Sequence, residues 1–385
     1  MIPKNLNNVS FDDLRNLIEN EIRESRTIEY KSELPNDAES SKKLFLAEVC
    51  SFANTDGGDI IYGIREDKGI PIELAGLNIE DPDKEILRIE SSILSGLEPR
   101  ISSFSSKVIK ADNKIFITLR IGKSWNAPHM VTFKDHCKFY KRNSAGKYPM
   151  DVSEIRMAFL QSEQIADKIR DFKNKRIQKI KTETEMPIKV SSGGKMVLHL
   201  VPLSAFAELK YYQITQNNKL GLNLLPLGAM GCNYRYNLDG LLTYSENYDE
   251  SNDYTQLFRN GIIETVSSFV NTNDKKIIPS VTYEKNIIKA TKSYLEALHI
   301  LEINSPFYFF ISMLDIKSYN FAVNIRYSNS YKSDRDDLIL PEGIIEDFDV
   351  DLDNVFHEFF DMVWNAFGCE RSYNYDDNGK WVGQR

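Results

Sequence analysis

Cysteine and histidine are scarce in this chain, with four cysteines and five histidines among 385 residues. Cys50, Cys137, Cys232 and Cys369 stand far apart without a CxxC pair. No disulfide or zinc framework is legible, and the usage suits a reducing compartment, so a cytoplasmic location is expected. Long apolar runs are also missing. No stretch reaches the roughly 18 apolar residues of a membrane span, and the opening MIPKNLNN has no apolar targeting core, so no membrane partner is expected. Nor is there an excess of basic charge. The net charge of -8 excludes a bulk polycation that coats nucleic acid, while leaving room for a local basic groove. Neither GxGxxG nor the phosphate-loop GxxxxGK[ST] occurs, so the Gly57-Gly58 pair is no nucleotide signature, and nucleotide (ATP) binding is the weakest function class.

What is present is length enough for two domains. Phe11 to Arg23 places Phe11, Leu14, Leu17, Ile18 and Ile22 at helical spacing after Ser10 as N-cap. Glu29-Tyr30-Lys31 opens an extended segment. Leu44 to Phe52 reads as an apolar helix, Asn54 to Gly58 as a turn, and Ile60 to Ile64 as a buried strand. A helix over Asp81–Leu97, strands over Ile101–Lys110, Lys114–Ile121 and Lys138–Arg142, and a helix over Asp151–Leu160 follow. These readings predict an α+β fold divided into a mixed-sheet domain over 1–160, a basic helical connector over 161–187 and a second α+β domain over 188–385. In the last, Ile188–Val201 reads as a strand pair across Ser191–Gly194. Tyr254–Phe269 reads as a helix, or a strand entering one.

The stretch Glu24–Gly69 concentrates the chemistry. Glu24 and Glu29 are five apart, on neither one helix face nor one strand face, so a break between them is needed before they converge. Arg65-Glu66-Asp67 ends the following strand in acids. Carboxylates meeting at one point repel unless a cation lies between them, which makes a divalent-ion site one reading and surface salt bridges the other. Lys31 shares a strand face with Glu29. It either neutralises a phosphate or holds Glu29.

The motifs E-S-x-x-x-E-Y-K from Glu24 and F-A-N-T-D-G-G-x-I-I-Y-G-I from Phe52 carry a resemblance. Together with Pro128-His129 and the closing Phe139–Phe159 segment, they resemble the Schlafen-type AlbA_2 domain over about the first 160 residues. Schlafen nucleases carry two glutamates and one aspartate beyond the Gly-Gly strand. The resemblance therefore implies Glu24, Glu29 and Asp67 as ligands of Mg²⁺ or Mn²⁺, with Glu66 as the alternative third and Lys31 as an electrostatic assistant. Arg65 stands where relatives often have an acid. The activity implied is metal-dependent endoribonuclease cleavage of tRNA or other structured RNA in stress or antiviral defence. A non-catalytic nucleic-acid-binding regulator, with DNA as an alternative ligand, is the competing expectation. Animal Schlafens place two related halves around a positive valley, so a chain with one copy is expected to form a homodimer.

Cations with interleaved aromatics mark the expected nucleic-acid surface. Arg26, Lys141, Arg142 and Lys147 belong to the first domain, with Tyr140-Arg142 as the expected exposed pair. Lys173 and Arg176 belong to the connector, whose basic residues from Lys168 to Lys181 read either as a solvated face or as phosphate contacts. Asn54 and Asp56 are expected to hydrogen-bond their own turn, and His129 is either a structural histidine or a contact at the site rim.

Overall fold

The computed structural model describes residues 1–383 apart from 102, 112, 125, 208–210, 215–219, 246–249, 270–275 and 323–330. The chain divides into two compact units, Met1–Gln164 and Ile165–Arg385.

In the first unit, helix α1 (Phe11–Glu19) is capped by a reciprocal Ser10–Asp13 box. Strand β1 (Ile28–Lys31) pairs in parallel with β2 (Gly58–Tyr62). Antiparallel strands β7 (Lys114–Ile121) and β6 (Phe104–Ala111) complete a sheet of order β1-β2-β7-β6. Between them in sequence come α2 (Glu39–Ala53), the hairpin β3 (Ile64–Asp67) and β4 (Ile70–Leu74), α3 (Pro82–Gly96) and the short β5 (Leu97–Glu98). Strands β8 (Met130–Val131), β9 (Lys138–Asn143) and β10 (Gly146–Pro149) join β5 in a second, antiparallel sheet of order β10-β9-β8-β5.

The period-two alternation of β1 decides which way the chemistry faces. Ile28 and Tyr30 enter the core beneath α1 with Leu14, Ile61 and Phe116. Glu29 and Lys31 therefore project to the opposite side, where α2 packs between the two sheets through Phe45, Val49 and Phe52.

The turn from Asn54 to Gly58 uses its glycines differently. Gly57 sits at φ 71, and a Cβ there would lie 2.6 Å from the Lys123 amide. Gly58 is required by close approach instead, because a Cβ would meet the Phe52 ring at 2.3 Å.

Helix α4 (Val152–Lys181) is continuous, and the division between the units falls within it. In the second unit an antiparallel sheet runs in the order Asn233–Tyr236, Gly240–Tyr244, Asp253–Phe258, Ile263–Ser268, Lys195–Pro202, Phe307–Leu314 and Leu338–Ile339, and Gly343–Ile345 also pairs with Phe307–Leu314. Met196, Leu198 and Leu200 face helices Ser280–Ile300 and Leu352–Ala366. Val197, Leu242, Tyr254 and Val266 face Ile177 and Ile180 of α4. The carboxylate of Glu284 is buried and accepts from Trp364 Nε1 at 2.6 Å, Trp381 Nε1 at 2.8 Å, Ser372 Oγ at 2.9 Å and Asn374 Nδ2 at 2.8 Å. The final aromatic stretch is thereby fastened to this core.

Several sequence expectations are corrected. Helix α1 stops at Glu19 rather than Arg23: Glu21 takes a left-handed conformation (φ 47), and the amides of Glu21 and Ile22 return to the carbonyls of Ile18 and Leu17. Tyr30 Oη then holds the Ile22 carbonyl at 2.8 Å, which draws the chain away from the helix axis. Lys189–Val190 and Lys195–Pro202 do not form a hairpin. The first pairs with Glu250–Ser251, and the second is a central strand between Ile263–Ser268 and Phe307–Leu314. Tyr254–Phe269 is a β-hairpin, turned at Gly261 (φ 90).

The basic connector is no solvated appendage, since Ile165, Ile169, Arg176, Ile177 and Ile180 are all buried. Arg176 donates to both oxygens of the fully buried Glu264 at 2.7 and 2.6 Å. His199 Nε2 and Tyr254 Oη complete that carboxylate's shell at 2.9 and 2.8 Å. Burial opposes ionisation of Glu264, but Arg176 and His199 prevail and hold its pKa down at about 2. Arg176→Met strands this charge and is expected to cost about 3–5 kcal/mol in urea unfolding. A loss below about 1 kcal/mol would show that the cluster contributes little to the unit's stability.

Candidate functional site

Glu29 stands at the centre of a compact cluster of charges. Its Oε1 accepts from Lys31 Nζ at 2.7 Å and its Oε2 from Arg142 Nη2 at 2.5 Å. Arg142, contributed by β9, is buried, with its guanidinium 3.8 Å from the centre of the Phe52 ring. Its Nη2 also reaches the Ser25 carbonyl at 3.3 Å, while its Nε and Nη1 are buried without an acceptor. The aromatic face offsets part of that cost. Arg142 is therefore not the exposed half of a Tyr140-Arg142 pair. Tyr140 is half-buried and meets His136 Nε2 through its hydroxyl at 2.7 Å.

A second carboxylate enters from α2. Glu48 is buried, and its Oε1 lies 2.8 Å from Lys147 Nζ and 3.4 Å from Lys31 Nζ. It was not among the residues expected from the sequence. The available signal is that Glu48 is the sole charged residue in the apolar run Leu44–Phe52, and a buried acid requires a partner.

Glu24 lies in the segment before β1. Its amide donates to the Gly69 carbonyl at 2.7 Å, and its Oε1 accepts the Tyr30 amide at 2.9 Å. Burial raises the Glu24 pKa, and the charges of Glu29 and Glu66 add to the rise against the Tyr30 hydrogen bond. Glu29 moves the other way. Burial would raise it, but Lys31 and Arg142 together hold it below the usual carboxylate range. Two neighbouring carboxylates thus differ in protonation tendency, the pattern by which acid and base roles are separated.

Both candidates for the third acid lie on β3. Glu66 is exposed and its Oε2 accepts the Gly69 amide at 2.5 Å, beside Glu24. Asp67 is exposed at the end of β3 opposite Ile70. Arg65 turns to Glu73 across the hairpin at 2.6 Å. Among the described residues no three His, Cys, Asp or Glu side chains are gathered so as to hold a metal ion. Both oxygens of Glu29 are already engaged by cations, so Glu24, Glu29 and Asp67 as arranged do not fit a divalent-ion cage.

The remaining expected cations separate into groups. Arg26 is exposed and pairs with Asp56 at 2.9 Å. Lys141 is half-buried on β9 opposite Tyr148, and Lys147 sits on Glu48. In the second unit, Arg176 is committed to Glu264, and Lys173 lies 5.5 Å from the Phe310 ring with burial lowering its pKa. Arg170, Lys179 and Lys181 are paired with Glu342, Glu185 and Asp337. Four basic side chains of the helix, Arg170, Arg176, Lys179 and Lys181, are thus paired within its own unit.

Asn54 does not serve its own turn. Its Oδ1 accepts the His129 amide at 2.7 Å, and its Nδ2 donates to the carbonyls of His129 at 2.9 Å and Tyr140 at 3.0 Å. His129 is buried, with Nδ1 at 2.6 Å from the Pro99 carbonyl and Nε2 at 2.6 Å from Ser124 Oγ. The F-A-N-T-D-G-G and Pro-His motifs are therefore one staple that positions β8 and β9 against α2.

Opposite responses are expected from the two glutamates. Glu29→Gln leaves buried Arg142 without its counter-ion and should cost roughly 3 kcal/mol. Because the Glu29 pKa is lowered in the fold, its contribution is present above the unfolded value near 4.3 and fades as pH falls through the folded one. Glu24 is raised, so its ionisation weighs against the fold as pH rises through its folded value. Glu24→Gln should accordingly match or exceed wild-type thermal stability at neutral pH, with the advantage lost in acid. Equal destabilisation by both substitutions across the pH range would refute this assignment.

Solved structures similar to this chain include two from bacteria. The DIP2311 protein of Corynebacterium diphtheriae shares 15% identity over 33% of this chain and 25% of its own, with a TM-score of 0.24. The N-terminal domain of a RecG-related protein of Nitrosomonas europaea shares 23% identity over 33% of this chain and 86% of its own, with a TM-score of 0.27. The chain spans about a quarter of the Corynebacterium protein, and at these levels neither likeness bears on function. A comparison with curated proteins finds no match. No described helix is long and apolar enough to cross a membrane. The mixed α+β architecture and the motif-bearing segment agree with the family that does match, whose membership suggests nucleic-acid binding. Residues 24–151 match the Schlafen, AlbA_2 family, and this part of the chain is a Schlafen AlbA_2 domain.

Proposed function

We propose that the Schlafen AlbA_2 domain binds RNA through its phosphates, at the surface where Lys31 and Lys147 emerge beside Glu24 and Glu29. The observation that carries this reading is the cluster itself. Three cations, Lys31, Arg142 and Lys147, converge on two carboxylates, with a third carboxylate beside them whose ionisation is disfavoured. Arg142 fixes the geometry from within, while the two lysines keep part of their surface in solvent. Lys141, which faces the other side of the β9–β10 hairpin from Lys147, and Arg26, paired with Asp56, enter the proposal as separate phosphate contacts.

Cleavage is the finer reading, and a specific observation favours it. Glu24 and Glu66 meet at Gly69, next to a Glu29 of opposite protonation tendency. A Mg²⁺ or Mn²⁺ ion, where bound, would supply Lewis-acid chemistry at a phosphate. Glu24 and Glu66 are the residues of this chain placed to approach one, whereas Glu29 would first have to release a cation. Endoribonuclease action on tRNA or structured RNA, RNA preference over DNA and homodimerisation are parts of the same proposal.

Fluorescence anisotropy with labelled tRNA, an unstructured RNA and the matching DNA, titrated across salt, measures the binding. Affinity should fall steeply between about 50 and 200 mM salt, and Lys141→Glu with Lys147→Glu should weaken it about ten-fold or more on unrelated sequences. Unchanged affinity in the double variant would move the surface elsewhere, and binding to DNA alone would favour the regulatory alternative. Incubation of wild type, Glu24→Gln, Glu66→Gln and Asp67→Asn with tRNA and Mn²⁺, with chelator as control, tests cleavage. Activity should drop by orders of magnitude in the first two and persist in the third. A wild type that binds RNA but never cuts it leaves a binding module. Sedimentation velocity should show a dimer, and a monomer at working concentration would remove that part of the proposal.

A further inference from the structure

Glu48 is the feature the binding reading leaves unexplained. Burying a carboxylate in an apolar helix costs stability unless cations repay it, and two lysines from different strands have been brought to it. Both contacts fall on the same oxygen, Oε1, with Lys147 Nζ at 2.8 Å and Lys31 Nζ at 3.4 Å. Two ammonium groups converging on one anionic oxygen is the arrangement a phosphate oxygen would receive. The side chain of Glu48 is only 10% exposed, whereas those of Lys147 and Lys31 are 23% and 36% exposed, so the pair is open on its solvent side. Each ammonium has three donors, and Lys147 spends one of them on Glu48.

We propose that Lys31 and Lys147 form a phosphate-binding subsite and that Glu48 is its built-in placeholder, an internal anion that gathers the two ammonium groups and competes with the phosphate of an RNA ligand. This inference rests on the RNA-binding reading above and adds a mechanism to it. The carboxylate keeps the lysines together in the unliganded protein, and its charge limits affinity for RNA. Glu29 cannot take this part, because its second oxygen is held by a buried arginine with no freedom to turn outward.

The decisive variant is Glu48→Gln, which keeps the shape and one acceptor while removing the negative charge. Anisotropy with a labelled unstructured RNA at low salt should show binding tightened by roughly three- to ten-fold, the scale of one like charge removed at close range in a partly solvated site. Lys147→Met should weaken binding about ten-fold, and the gain from Glu48→Gln should shrink in that background, because the carboxylate acts through the lysine. A Glu48→Gln protein with a wild-type circular dichroism spectrum that binds equally or more weakly overturns the proposal. If that variant does not fold, Lys147→Met alone decides, since Lys31 remains to pair with Glu48; unchanged affinity overturns the subsite. Wild type that binds no RNA at any salt fails the reading beneath it, which separates the two failures.

Discussion

The ion pair between Glu29 and Arg142 ties the first unit together. It joins β1 of the mixed sheet to β9 of the antiparallel sheet, across the end of α2, with the Phe52 ring beneath the guanidinium. Neither partner could be buried alone, because an unpaired charge in that position costs several kcal/mol. Once the pair is made, Lys31 follows on the same face of β1, and Lys147 follows from the hairpin partner of β9. The position of the site is thus a consequence of two strands, distant in sequence, whose charges require each other.

Charge in this molecule is mostly spent internally. The cations that suggested a nucleic-acid surface divide into those that are themselves buried, such as Arg142 and Arg176, and those whose side chains remain partly in water, such as Lys31 and Lys147. Only the second kind can meet a phosphate without first leaving the interior. This distinction is invisible in a net charge of -8. It also separates two questions that the family resemblance joins. The cations favour phosphate binding, while the carboxylates as arranged are held by those same cations.

Much of the first unit was legible from residue pattern. The alternation in Glu29-Tyr30-Lys31, the apolar run before Asn54 and the glycine pair after it each report a local constraint: strand pleat, helix burial and backbone clearance. Local pattern failed where a distant group decided the outcome. Helix α1 ends early because the chain beyond it is held by Tyr30 at the Ile22 carbonyl and by Gly69 at the Glu24 amide. The Asn54 side chain leaves its turn because the His129 backbone offers better partners. Tyr254–Phe269 is a hairpin because its strands complete a wide sheet, although its spacing admits a helix.

By itself the sequence determined the α+β character, the face shared by Glu29 and Lys31, and the family of residues 24–151. These follow from periodicities and motifs contained within short stretches. Only the tertiary structure decided that Arg142 is interior, that Glu48 joins the charges around Lys31 and Lys147, and that Glu66 and Glu24 are both bonded to Gly69. Each of these depends on which charges come within a few ångströms of each other after folding. Burial makes such pairings compulsory, but residue spacing along the chain does not specify them.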